Sequence, residues 1–524
     1  MIAYEVESSR KSALTIHNSL GETITSDSLE GLLGYLLTPH VSQFRCFADL
    51  NDAAAPILAK LPIENIKELV KKNKTEWNGF SIIYFRDKTL VIFSGRQYAA
   101  YYNLSQYLPS LEGLELEEIA KRGTEFVSEL WDIGIKPDKL SSPITAISPI
   151  LEKLQLCTWK NIPDDVGEAA WEASGRAWTE AHRIGSFSKT FDYDITGAYG
   201  SILANLLELK EGKEYCGRWV HEKEPPSNAV YGLAYGKMSI RSNVSPITLV
   251  SRDGSIYNPR GSWSSYFTLP EINFVRNFDI GSFTPSEGWF WIPTRKVNKL
   301  HWTVWKFFRE RTKSPALNGF LKRAIAGIAG KFLETFPDEG FGKLFNPVYG
   351  AHIQASVRCA VGEFILKNNI AEELLAVSTD GILCTKRIEV PPDDRMGSWR
   401  LDGEGSALIA GSSLVWFGKK CPNQISLEQA VNLVKEHPKT YQWHLKKRRR
   451  TTLGDIASNM GNLDRLGKEM TIGTGFSLQQ EHDRNFSLLP INGDELLHNI
   501  YESKPWIASN IPKAPMVTVR HEQL

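Results

Sequence analysis

The chain has 524 residues, of which 42% are hydrophobic, 11% aromatic and 23% charged, and 61 Lys and Arg against 60 Asp and Glu leave a formal net charge of +1. That length exceeds what one hydrophobic core supports and predicts roughly three or four packed units. The near balance of charge excludes a uniformly basic coat, so any binding to a nucleic-acid backbone has to come from local clusters of Lys and Arg.

Cys46, Cys157, Cys216, Cys359, Cys384 and Cys421 are scattered, and no two have the spacing of a zinc knuckle or ribbon. They read as reduced core residues. The start, Met1 to Glu7, lacks a basic segment followed by an apolar run, and no uncharged stretch is long enough to span a bilayer. The expectation is a soluble, cytoplasmic protein with no membrane partner.

Up to about residue 140, helical patterns mix with strand runs. Phe80 to Phe85 and Thr89 to Phe93, on either side of the turn-like Arg86-Asp87-Lys88, predict a hairpin in an α/β unit. From Ile135 to Pro163 the chain reads as a connector, punctuated by Ser142-Pro143 and Ser148-Pro149.

Thr190 to Leu203 is the first stretch with chemistry in it. Strand alternation puts Asp192 and Asp194 on one face, and Gly197 and Gly200 then allow a tight turn into a helix. An acidic strand end beside a turn can hold magnesium through carboxylate and carbonyl oxygens while substrate phosphates complete the shell. Taken alone, the same residues are more often simple turn chemistry.

A helical pattern runs from about Lys296 to Phe332, broken near Ser314-Pro315, and predicts a helical hairpin. Leu317, Phe320, Leu321, Ala324, Ile325 and Ile328 recur at helical spacing as its buried face. A second stripe, Lys322, Ala326, Ala329 and Gly330, sets one cation before residues with almost no side chain. Such a face leaves room for a base pair with a triphosphate at its charged end. Close helix packing accounts for the small residues as well.

From Leu374 to Cys384, two apolar runs flank a polar turn ending in Asp-Gly, a hairpin pattern with Asp380 at the tip. Beyond about residue 420 the text reads as mainly helical. It carries the densest charge of the chain, Lys446-Lys447-Arg448-Arg449-Arg450, just after Tyr441 and Trp443. Contacts to duplex phosphates are one use of such a run, and a solvated helix face is the other.

In order and character the three central stretches resemble motifs A, B and C of family B DNA polymerases. Asp194-Ile-Thr-Gly197-Ala-Tyr199-Gly200-Ser201 is similar to Asp-x-x-Ser-Leu-Tyr-Pro-Ser. Lys322-x-x-x-Ala326-Gly327-x-Ala329-Gly330 looks like Lys-x-x-x-Asn-Ser-x-Tyr-Gly, and Ser378-Thr379-Asp380-Gly381 looks like Asp-Thr-Asp-Ser. The resemblance covers roughly residues 135 to 490. Leu140 to Pro143, Ser174-Gly175-Arg176, Asn346 through Arg358, and Gly397 to Arg400 through Gly411 agree with phage- and plasmid-type members.

That resemblance implies a mixed α/β multidomain chain shaped as a polymerase right hand. Residues 1–140 become a ribonuclease-H-like, exonuclease-type domain, 141–295 and 336–420 the palm, 296–335 the helical fingers and 421–524 the thumb. Asp194 and Asp380, with the carbonyl of Ile195, would bind two magnesium or manganese ions. Lys322 would hold the triphosphate, shared with Arg309 and Lys313, while Ala326 lines the nucleotide site. Tyr199 would sit under the sugar and exclude a 2′-hydroxyl. Lys446, Lys447, Arg448, Arg449 and Arg450 would contact DNA.

The implied partners are primer-template DNA, deoxynucleoside triphosphates and a terminal or accessory replication protein. Departures from the pattern are Ser378 for the first Asp of motif C, Ala326 and Ala329 for the Asn and Tyr of motif B, and Gly200 for the motif A proline. For the nuclease motifs, Asp49-Leu50-Asn51 lacks the Glu of Asp-x-Glu, and no Asp follows Phe80 in Trp77-Asn78-Gly79-Phe80. Tyr102 to Tyr107 looks like a remnant of the later part of that domain. The expectation is a DNA-directed DNA polymerase without proofreading. Primer-independent, protein-primed or template-independent transfer, and a non-catalytic polymerase relic that binds nucleic acid, remain as alternatives.

Overall fold

The computed structural model describes residues 1–8, 13–38, 44–85, 88–108, 111, 113–210, 216–251, 254–336, 340–440, 442–450, 469–477, 484–486 and 492–511. They divide into two compact units, the first made of Met1–Lys153, Arg309–Ala324 and Lys446–Gly473 and the second of Leu154–Phe308, Ile325–Leu445 and Thr474–Leu524.

The strands of the first unit are β1 (Ile2–Ser8), β2 (Leu14–Asn18), β3 (Thr23–Ser26), β4 (Arg45–Phe47), β5 (Lys74–Trp77), β6 (Phe80–Phe85), β7 (Thr89–Ser94) and β8 (Gln97–Asn103). Among the described residues they form one sheet in the order β3-β2-β1-β4-β8-β7-β6-β5. The β1–β4 and β4–β8 pairs are parallel and the others antiparallel. The expected hairpin is β6–β7, with Phe80 opposite Ser94; Arg86 and Asp87 of its turn lie outside the described residues. Apolar alternation drives it, because Phe80, Ile82 and Tyr84 are buried and enter one core with Leu32, Leu33 and Leu36 of the helix Leu29–Leu37.

The stretch expected as a connector instead contains the helix Pro143–Lys153. Its start is legible in retrospect: the Ser142 hydroxyl accepts from the Thr145 amide at 3.2 Å, and Pro143 occupies the first turn, where no amide is needed. Segment Arg309–Ala324 belongs to this unit through Phe320, whose ring lies 5.7 Å from both Tyr107 and Phe126. The Ser314 hydroxyl donates to Glu129 at 2.8 Å.

In the second unit the strands are β9 (Thr179–Ala181), β10 (Arg183–Ile195), β11 (Gly217–His221), β12 (Tyr231–Ile240), β13 (Leu249–Val250), β14 (Ile256–Tyr257), β15 (Gly261–Thr268) and β16 (Gly281–Pro293). There follow β17 (Thr335–Phe336), β18 (Gly340–Phe341), β19 (Leu374–Ser378), β20 (Gly381–Cys384), β21 (Trp399–Ile409) and β22 (Val415–Phe417). β25 (Asn485–Phe486) and β26 (Tyr501–Lys504) complete this unit, while β23 (Gln442–Arg450) and β24 (Glu469–Ser477) each lie partly in the first unit's segment Lys446–Gly473. The principal sheet runs β22-β21-β10-β20-β19-β9, and β26 adds to the start of β10 while pairing with β25. One face is covered by the helix Pro347–Lys367, whose Val357, Val361 and Phe364 share a core with Phe191, Tyr193, Leu374 and Ile382. A second antiparallel sheet, β11-β16-β12-β15, packs against the helix Leu269–Phe278, which opens with a Thr268–Glu271 capping box.

The basic run corrects the expectation of a helical end to the chain. It lies in strand β23, paired with β24. On a helix, Lys446 and Arg450 would stack like charges one turn apart, whereas a strand sends neighbouring side chains to opposite faces. Trp443, read as an aromatic companion of the run, is buried at 1% exposure and stacks on Phe476 at 4.9 Å. Tyr441 and the side chains of 446–450 lie outside the described residues. Among the cysteines, Cys421 is the exposed exception to the expected core role.

Candidate active site

Strand β10 alternates as expected at its end: Phe191, Tyr193 and Ile195 enter the core, and the turn at Gly197 (φ 61°) starts the short helix Ala198–Leu203. Asp192 and Asp194 project on the other side, but they have different environments. Asp192 is buried and takes the Lys420 ammonium at 2.8 and 3.1 Å. Burial pushes its carboxyl up, and the Lys420 charge opposes that rise. Asp194 is half-buried, with the Arg400 guanidinium 3.4 Å away; Arg400 also reaches Asp402 at 3.0 Å.

The β19–β20 hairpin closes with Ser378 opposite Gly381, so its two-residue turn is Thr379-Asp380. Thr379 carries the left-handed backbone (φ 62°), and its amide donates to the Trp178 carbonyl at 2.7 Å. Gly381 is therefore not in the turn: it is the strand residue opposite Asp194. A Cβ there would lie 2.9 Å from the Tyr193 carbonyl oxygen and 3.4 Å from Asp194 Oδ1, which explains a residue without one. The Ile195 amide donates to the Asp380 carbonyl at 3.0 Å. Asp194, Ile195 and Asp380 thus meet at the end of one ladder.

Tyr199 follows on the short helix. Its hydroxyl donates to Gln354 at 3.4 Å and is pushed up by burial, with the Asp380 charge as the next cause. The residue in the place of the motif A proline, Gly200, sits against Met396 and Ile325, 2.7 and 3.2 Å from where a Cβ would be. Around this ladder, Ser378, Asp192 and Lys420 line a cavity of about 430 Å³ together with Thr179, Ser412 and Ser413.

Two or more hard oxygen donors on rigid strands suit magnesium, which takes one or two carboxylates and fills its remaining positions with phosphate and water. Asp194 and the Ile195 carbonyl, at a strand end, and Asp380, in the adjoining turn, offer such donors. Among the described residues no group of three or more His, Cys, Asp or Glu side chains could hold a metal. The donors present fit a cation shared with a phosphate ligand rather than a closed protein cage.

No protein-family model matches the chain, and no curated protein does. Solved structures do. Phi29 DNA polymerase complexed with primer-template DNA and incoming nucleotide substrates superposes with a TM-score of 0.59 at 12% identity, covering 91% of this chain and 99% of that one. The chain has the fold of phi29 DNA polymerase. A binary complex of the same polymerase with primer-template DNA gives 0.59, 12%, 91% and 100%, and its orthorhombic crystal form 0.55, 12%, 80% and 88%.

Within this polymerase fold the two expected helices are present as His301–Glu310 and Pro315–Lys331. The Ser314 hydroxyl accepts from the Leu317 amide at 3.2 Å at the predicted break. All six residues expected on the buried face are buried. Of the second stripe, Lys322, Ala326 and Gly330 are exposed and Ala329 is not. Ala329 stands one turn after Ile325, which pulls it to the core side. Lys322, Arg309 and Lys313 belong to the first unit and Ala326 to the second. Arg309 and Lys313 both reach Glu310, at 3.5 and 2.5 Å, a partner absent from the sequence reading. Arg400, Gln354 and Lys420 were also missed. Gly397 to Arg400 stood out only as flanking text, and nothing in it pointed to Asp194.

No described helix is long and apolar enough to cross a membrane.

Proposed function

We propose that the chain is a DNA-directed DNA polymerase that adds deoxynucleotides to a 3′-hydroxyl and lacks proofreading. The observation that carries this reading is the pairing of Asp194 with Gly381, which brings the motif A and motif C aspartates to one ladder end. The phi29 structures with primer-template DNA and incoming nucleotide supply the substrate class.

In this reading Asp194, Asp380 and the Ile195 carbonyl hold two divalent cations, magnesium or manganese. Such ions supply the charge that lowers the pKa of the primer hydroxyl and stabilises the phosphorus and the leaving pyrophosphate. Tyr199, oriented by Gln354, packs under the sugar and disfavours a 2′-hydroxyl. Lys322 is assigned to the triphosphate on its motif B pattern, with Arg309 and Lys313 as further donors and Ala326 at the nucleotide. The run Lys446 to Arg450 is assigned to DNA phosphates by its charge. Residues 141–295 and 336–420 are read as palm, 296–335 as fingers, 421–524 as thumb, and 1–140 as a nuclease-type domain without its acidic motifs.

Incubation with a labelled primer-template, deoxynucleotides and magnesium or manganese tests the proposal. Extension that is lost in Asp194→Ala and in Asp380→Ala supports it; no extension by the parent protein removes it. Reactions without template or without primer separate templated synthesis from primer-independent and untemplated transfer. A 3′-labelled single strand that stays intact in the same buffer supports the absence of proofreading.

A further inference from the structure

The helix His301–Glu310 buries Val304 and Phe307 and turns Trp302, Trp305 and Lys306 outward, at positions i, i+3 and i+4 of one face. Trp302 is 80% exposed and Trp305 37%. Each has an aromatic neighbour at a steep angle: His301 at 5.2 Å and 89° for Trp302, and Phe308 at 6.1 Å and 80° for Trp305. The His301 Nδ1 lies 2.8 Å from the Ala204 carbonyl, so the imidazole that braces Trp302 is itself anchored.

Along the chain, the stretch that carries these rings has charge of one sign up to Phe308. Residues 294–308 contain Arg295, Lys296, Lys299 and Lys306 and no Asp or Glu. Lys299 is drawn to Glu208 at 3.3 Å, while Arg295, Lys296 and Lys306 are exposed. Protein–protein interface cores are rich in aromatic residues but poor in Lys. Exposed indoles among exposed cations instead match the surface on which unpaired bases stack while cations track the backbone.

We propose that this helix face binds single-stranded nucleic acid, with bases stacked on Trp302 and Trp305 and backbone phosphate at Lys306. This inference uses neither the metal site nor catalysis, so it stands or falls separately from the polymerase reading.

The test is fluorescence anisotropy of a labelled oligothymidylate with the full chain, in EDTA and without nucleotides. The double variant Trp302→Ala/Trp305→Ala is expected to bind at least about tenfold more weakly, since each stacked base is worth a substantial fraction of a complex. Trp302→Phe retains most of the affinity, because it keeps a stacking face. Lys306→Gln lowers the slope of log affinity against log salt by about 0.7. Trp131→Ala, at another exposed indole, leaves binding unchanged. Equal affinity in the double variant, with an unchanged unfolding transition, overturns the proposal. So does a wild-type dimer in sedimentation that dissociates in the double variant while oligonucleotide affinity is unaltered, since that marks the face as a protein interface. Primer extension by the parent protein, assayed in parallel, keeps the two readings apart: indole-dependent oligonucleotide binding without extension removes the polymerase reading alone, and extension without indole-dependent binding removes this proposal alone.

Discussion

Ile195 and Asp380 are joined by a backbone hydrogen bond of 3.0 Å, and this bond sits one residue beyond the pairing of Asp194 with Gly381. The strand end that carries Asp194 is therefore tied directly to the turn that carries Asp380. Asp194→Asn and Asp380→Asn keep the shape and remove the charge. Each is expected to lower primer extension by about a thousandfold or more, the several kcal/mol that metal-ion catalysis supplies. Circular dichroism should show no change of fold.

The Arg400 guanidinium lies 3.4 Å from Asp194 Oδ2, where it would compete with a cation bound by that carboxylate. Removing that positive charge in Arg400→Gln should tighten manganese binding by roughly threefold to tenfold, a modest gain because both groups are partly solvated. Electron paramagnetic resonance titration of free manganese reads it. Weaker binding in the variant would mean that Arg400 orients Asp194 instead of competing for it.

Gly381→Ala tests the ladder from the other side. The added methyl meets the Tyr193 carbonyl at 2.9 Å and presses towards Asp194 Oδ1 at 3.4 Å. Overpacking of this kind costs about 1–3 kcal/mol. If the proposed site holds, extension should fall further than the melting temperature alone accounts for, because the displaced carboxylate belongs to the candidate metal set.

Much of this arrangement was legible in the sequence wherever a short-range period or turn signal controls the outcome. The buried face from Leu317 to Ile328, the hairpin around Asp380 and the strand end at Asp194 are of that kind. Partners were not legible, since they are fixed by register between distant strands: Arg400 meets Asp194 across 206 positions and Lys420 meets Asp192 across 228. The basic run was misread because five cations carry no apolar period, so nothing local distinguished a strand from a helix.

Arg358 joins two stretches that had been noted only as flanking text. It is fully buried, donates to the carbonyls of Arg176 and Pro246 at 2.8 and 3.0 Å, and pairs with Glu271 at 2.7 Å. Arg358→Met leaves the Glu271 carboxylate buried without its cation and should cost about 3–5 kcal/mol, read by urea or thermal unfolding. Arg358→Lys should recover little, because one ammonium cannot replace a planar fork with three separate acceptors.

His182 gives a pH test of stability. Burial, then the Arg484 charge, lowers its pKa to about 4, whereas the unfolded side chain titrates near about 6.5. The folded form thus stays neutral where the unfolded chain gains a proton. Stability is complete above pH of about 6.5 and declines as pH falls towards 4, by on the order of 3 kcal/mol. Burial alone would raise the neighbouring Glu180 carboxyl, but Arg484, His182 and Trp178 outweigh it and hold it low, so its contribution is also lost on acidification. Unfolding free energies measured across this range should slope upward with pH, and His182→Gln should flatten the slope between 4 and 6.5.

The addition of β26 to the start of β10 pairs Arg183 with Glu502 and Ile184 with Tyr501. Contacts so far apart in sequence are expensive in chain entropy and form late. While the protein is being synthesised, the start of β10 at Arg183 and Ile184 must wait for its β26 partner until more than 300 further residues have emerged. Completion of this sheet is thereby delayed until the distant segment around β26 is available, and the exposed start of β10 is where shorter nascent chains would be most prone to associate.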